Sequence, residues 1–124
     1  MSTLYYKDES FFIVGLLMNV HNELGKGFSE AVYGDAIEYE FQLNGVPYQR
    51  EVKFPIIYKD KILPHKYIAD FVIDHKIILE IKAIEKLTKS HSKQTLNYLT
   101  ASKLKLGLLV NFGEDSLIFN RIVL

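Results

Sequence analysis

The stretch that most constrains this chain is Lys66–Ala83, KYIADFVIDHKIILEIKA. Two apolar runs, Tyr67–Ile73 and Ile77–Ile81, are rich in β-branched and aromatic residues, and the polar trio Asp74, His75 and Lys76 divides them. That pattern spells a β-hairpin. Three charges fall inside it: Asp70, Glu80 and Lys82. A mid-strand charge is costly to bury without a partner, so Asp70 needs a reason to be there. Side chains alternate between faces along a strand, which puts Glu80 and Lys82 on one face.

The loop decides whether Asp70 joins them. A two-residue loop of Asp74–His75 pairs Ile73 with Lys76, sets Asp70 opposite Leu79 and turns Glu80 away. A three-residue loop centred on His75 pairs Asp70 with Glu80 directly. Two carboxylates placed opposite each other repel. Such a register makes sense with a cation between them, and magnesium prefers carboxylate oxygens while keeping several waters. A plain solvated hairpin face with scattered charges is the other reading of the same residues.

The chain has 124 residues, enough for a single domain, 1–124, with one core. It has no cysteine, which excludes disulfides and thiolate metal sites. The longest apolar stretch, Phe11–Val20, is too short for a membrane span and lacks a basic leader. The expectation is a soluble, cytoplasmic protein with no membrane partner. Formal net charge is zero but unevenly spread. Residues 1–45 carry seven acids against two lysines, and residues 82–105 carry six lysines against Glu85 alone. A local basic stretch can meet phosphates even in a neutral protein. A lysine-rich solvated helix face accounts for the same charges.

Residues 9–24 read as a helix, with Ile13, Leu16, Leu17, Val20 and Leu24 in one apolar stripe and Gly25 as its stop. His21 and Glu23 read as surface residues. Gly25-Lys26-Gly27 reads as a helix–helix turn, since it neither follows a strand nor has phosphate-loop spacing. A second helix runs from about Ser29, a suitable N-cap, to Asn44. Tyr33, Ile37 and Phe41 form its inward stripe, and Glu30 falls on the same face. The helix dipole alone accounts for an acid in the first turn. The functional alternative is that Glu30 points toward Asp70 and Glu80. Tyr48–Tyr58 reads as a strand that Pro47 and Pro55 place at an edge or a bulge. Ile62–Pro64 reads as a short connector. Thr88 to about Lys103 reads as a helix, with Gln94 and Tyr98 as neighbours on one face and Leu96, Leu99 and Leu104 on the buried side. Leu106–Phe112 and Leu117–Leu124 read as the last strands.

The order Glu30, Asp70, Glu80-Ile81-Lys82, Gln94…Tyr98 resembles that of the PD-(D/E)XK nuclease superfamily, in its branch with a QxxxY helix. Gly27-Phe28-Ser29-Glu30-Ala31-Val32-Tyr33 is similar to the signature of the GxxExxY family within it. The resemblance covers nearly the whole chain. It implies an α/β (α+β) fold with a restriction-endonuclease-like core, a mixed central β-sheet flanked by helices. By the same resemblance Asp70 and Glu80 stand for the metal carboxylates, with Glu30 and the Ile81 carbonyl completing the metal set. Lys82 stands for the catalytic lysine, Glu30 for the first-helix acid, and Gln94 and Tyr98 for the QxxxY pair. Ala69 precedes Asp70 where the superfamily name has proline.

The implied activity is a nuclease dependent on Mg2+ or Mn2+, with DNA as the expected substrate. A divalent ion lowers the pKa of bound water and polarises a phosphate. Lys82 would assist the attacking water or meet developing negative charge. Tyr33 of the signature, with Lys86, Lys89 and Lys93, is expected on the substrate side, where lysines position a backbone without reading sequence. The competing class is a non-catalytic nucleic-acid- or protein-binding module on the same fold.

Overall fold

A computed structural model describes residues 5–124. Helix α1 (Lys7–Leu24) opens on Asp8 and Glu9 and ends at Gly25, whose φ of 69° an L side chain rarely adopts. Helix α2 (Glu30–Leu43) begins after Ser29, whose Oγ accepts the Val32 N–H at 3.4 Å. Strands β1 (Tyr48–Tyr58), β2 (Lys61–Ile73) and β3 (Ile77–Lys82) follow, then helix α3 (Lys89–Ser102) and strands β4 (Leu106–Asn111) and β5 (Ile118–Val123). No described helix is long and apolar enough to cross a membrane.

The five strands form one mixed sheet in the order β1-β2-β3-β4-β5. Among the described strands only β3 and β4 run parallel, and α3 is the crossover that such a pair requires. Helices α1 and α2 cover one face. Leu17, Ile37 and Phe41 pack there on Phe71, Leu79, Ile81 and Leu108. Helix α3 covers the other face, where Leu99 packs with Tyr67, Ala69, Val72 and Ile78. Apolar contact on both faces explains why β3 and β4 read as continuous hydrophobic runs rather than alternating ones.

The hairpin adopts the three-residue loop: Ile73 pairs with Ile77, Val72 with Ile78 and Phe71 with Leu79. Asp74 and His75 both take left-handed backbone (φ 51° and 56°), and the Lys76 N–H closes the turn on the Ile73 carbonyl at 3.0 Å. Continued by one step, this register sets Asp70 opposite Glu80.

Strand β1 is an edge, and its register shifts between Pro55 and Ile57. Two expectations need correction. Ile62–Pro64 is part of β2, because the tail of β1 pairs with it down to Tyr58↔Lys61. His21 is buried, its Nε2 2.9 Å from the Glu114 carbonyl oxygen and its ring near Phe112.

One irregularity positions the site. Glu51 has φ 56° in mid-strand. It faces Asp70, between the pairs Arg50↔Phe71 and Val52↔Ala69. Ala69 and Phe71 are two residues apart and belong on one face of a regular strand. Here Ala69 packs with α3 and Phe71 with α1 and α2. The strand pair therefore swaps faces at Asp70, and the acid is the pivot.

Candidate active site

At that pivot the Asp70 carboxylate turns into the sheet, and its Oδ2 accepts the Ile81 N–H at 2.8 Å. Asp70 is half-buried. Burial raises its pKa and the Glu30 charge adds to that, while the Ile81 amide, Lys82 and Arg50 oppose it. Glu80 is only 6% exposed and accepts a hydrogen bond from the Tyr67 hydroxyl. Its pKa is pushed up to about 7, first by burial and then by the charge of Asp70. The Tyr67 bond, the Asp70 amide and Lys82 pull the other way. Asp70 thus takes a main-chain amide from the strand of Glu80, and its charge raises the cost of ionising Glu80.

Tyr67 belongs to a column of rings. Phe54, its cross-strand partner, lies near-parallel at 5.8 Å between centroids, and Tyr98 of α3 lies nearly parallel over it at 3.5 Å and 11°. Burial and then the Glu80 charge raise the Tyr67 hydroxyl, so it stays protonated and donates. On the α2 side a cleft of about 200 Å³ is lined by Glu30, Gly34, Arg50, Glu51, Asp70 and Ile81, among others. The Arg50 Nη1 holds Asp35 at 2.8 Å and Glu38 at 3.1 Å, and its guanidinium lies 5.5 Å from the centre of the Phe71 ring. Gly34 makes room for it: a Cβ there would stand 2.5 Å from Nη2.

The sequence pattern of the PD-(D/E)XK nuclease superfamily matches residues 7–122. The chain belongs to that superfamily. No curated protein matches it. Among solved structures it is similar to the crystal structure of SSO0001, with a TM-score of 0.61 and 23% identity over 75% of this chain and 48% of that one. The likeness is one of fold, and the chain spans about half the length of SSO0001.

Within this PD-(D/E)XK domain the candidate residues take distinct places. Glu30 is the first residue of α2, exposed at the rim of the cleft that Asp70 also lines. Lys82 ends β3, half-buried, with its charge bearing on both Asp70 and Glu80. Gln94 is exposed on α3, and Tyr98 is partly covered by its stack on Tyr67. Lys86, Lys89 and Lys93 lie on the outside, and none forms an ion pair among the described residues. Leu96 is 37% exposed rather than buried.

Tyr33 is a correction. Expected at the substrate, it is fully buried, stacks on Phe112 at 4.4 Å and donates its hydroxyl to the Gly25 carbonyl. It fastens the α1–α2 turn instead. Among the described residues no group of three or more acids or histidines is gathered closely enough to hold an ion by side chains alone. The remaining donors still suit one. PD-(D/E)XK nucleases generally use divalent metals such as Mg2+ or Mn2+, and magnesium is commonly bound by one or two carboxylates with waters and substrate phosphate. Asp70 and Glu80 are two such oxygen donors on adjacent strands, and the charge of Asp70 disfavours ionising Glu80, a cost that a cation would lower.

Sequence reasoning missed Tyr67, Arg50, Glu51 and Asn111. Asn111 pairs with Lys82 across the parallel strands. Its side chain accepts from the Ile84 and Gly113 N–H groups and donates to the Ile84 carbonyl and Glu114, fixing the chain just after Lys82. A lone Asn at the end of an apolar run was the signal available.

Proposed function

We propose that this protein is a metal-dependent nuclease of the GxxExxY type, with the QxxxY helix, that hydrolyses phosphodiester bonds in DNA. The observation that carries the reading is the 2.8 Å bond from the Ile81 N–H to Asp70 Oδ2, which sets one half-buried acid against the run Glu80-Ile81-Lys82. Asp70, Glu80 and the Ile81 carbonyl would hold the ion, with Glu30 reaching it through water. When bound, a divalent ion supplies Lewis acidity to the phosphate and a water of lowered pKa. Lys82 orients the attacking water and meets negative charge as it develops on the phosphate. Lys86, Lys89 and Lys93 hold the flanking backbone without reading bases.

The deciding experiment incubates the protein with plasmid, single-stranded DNA and RNA in magnesium, manganese or chelator. Metal-dependent cleavage of DNA that Lys82→Ala abolishes supports the reading. Binding without cleavage in either metal replaces it with a non-catalytic module.

A further inference from the structure

We propose that Tyr98 is a positioning residue that acts on Glu80 through Tyr67, and not a contact to the substrate. The ring of Tyr98 lies face to face on Tyr67, at 3.5 Å between centroids and 11° between planes. Tyr67 is 4% exposed and spends its hydroxyl on Glu80, which is 6% exposed. Phe54 packs near-parallel to the same ring. The Tyr67 ring is thus held against a strand neighbour and a helix neighbour, and the direction of its O–H is set by both.

That direction matters because Glu80 can turn. A glutamate has rotatable bonds to lose, and a buried side-chain donor biases which of its oxygens is engaged and which is left for another partner. Groups that orient a carboxylate from behind commonly govern activity about 10–100-fold. The helix brings Tyr98 to this place from α3, while the acids come from β2 and β3. The ring of Tyr98, not its hydroxyl, is the working part: it covers Tyr67 and keeps water off the Tyr67–Glu80 bond.

The test separates ring from hydroxyl. Proton NMR on metal-free, tyrosine-labelled protein looks for a slowly exchanging Tyr67 hydroxyl proton, assigned by its absence in Tyr67→Phe. Tyr98→Phe should keep it. Tyr98→Ala should lose it to exchange, and so should Tyr98→Leu, which keeps apolar bulk and guards against a variant that does not fold. A signal that persists in both overturns the proposal.

The kinetic arm rests on the nuclease reading. In magnesium, Tyr67→Phe and Tyr98→Ala should each lower kcat about 10-fold with KM for DNA unchanged, and the double variant should be no slower than either. Tyr98→Phe should recover what Tyr98→Ala loses. A raised KM for DNA in Tyr98→Phe, with the Tyr67 proton intact, makes Tyr98 a substrate contact and overturns the proposal. A wild-type protein that cleaves nothing removes the nuclease reading, and the hydroxyl signal alone then decides the stack.

Discussion

Asp70 takes with its side chain a bond that the main chain of β2 does not make: its Oδ2 accepts the Ile81 N–H at 2.8 Å, where the regular ladder has ended at Phe71↔Leu79. The acid is both a strand-pairing element and a charge, and two substitutions pull these apart. Asp70→Asn keeps an acceptor oxygen and removes the repulsion with Glu80 and Glu30. Asp70→Ala leaves a partly buried N–H unpaired, a loss of about 1–3 kcal/mol. Urea unfolding at pH 8 without metal should find Asp70→Asn at least as stable as wild type and Asp70→Ala less stable. Neither should cleave DNA.

Glu80 makes the metal-free protein less stable as pH rises. Its folded pKa is raised from the usual carboxylate range to about 7. Between the unfolded and folded values the folded state holds the extra proton, so stability falls as pH climbs through that window and levels off above it. Asp70, raised in the same direction, adds to the fall. The loss is on the order of 3 kcal/mol from Glu80. Unfolding curves at pH 5 and pH 8 should show it, and Glu80→Gln should flatten it. Affinity for magnesium should rise as pH climbs through about 7, because the ion binds the ionised carboxylate.

Two glycines answer alanine differently. At Gly113 a Cβ would stand 2.1 Å from the Ile84 carbonyl oxygen, which is backbone and cannot step aside cheaply. Gly113→Ala should cost about 3 kcal/mol and disturb the turn that follows Lys82. At Gly34 the obstacle is the far end of Arg50, which can swing. Gly34→Ala gains helix propensity of up to about 1 kcal/mol, so its net change in thermal unfolding should be small.

Reversing the charge of two among Lys86, Lys89 and Lys93 should weaken nucleic-acid binding and flatten its salt dependence, the slope shrinking by about 0.9 for each phosphate left without its lysine. Fluorescence anisotropy across a salt series reads both. Unchanged binding at low salt places the substrate elsewhere.

The sequence carried most elements and narrowed the hairpin to two registers because those depend on local patterns. The stripe Tyr33–Ile37–Phe41 and the trio Asp74–His75–Lys76 each say where neighbouring residues point. Distant partners were hidden. Ile62–Pro64 looks like a connector, since it is short and ends in proline, yet the tail of β1 pairs with this part of β2. His21 looks like a surface group until Glu114, from the far end of the chain, reaches it. Tyr67 reads as one more aromatic in an apolar strand; only α3 packing over it shows why its hydroxyl faces Glu80. The face swap at Asp70 needs two strands at once, Glu51 on one and the acid on the other.

The one parallel pairing in the sheet also sets a timetable. Hairpins close in about 1–10 μs, and β2–β3 needs only its short turn. The pairing of β3 with β4 waits for the whole α3 crossover, a long-range closure that contributes disproportionately to slow folding. Asp70 and Glu80 are therefore neighbours in water before Tyr98 settles on Tyr67. The desolvation of Glu80, whose partner Tyr67 lies under Tyr98, falls on the docking of α3, so the rate of that late step, rather than of hairpin formation, is where pH should leave its mark.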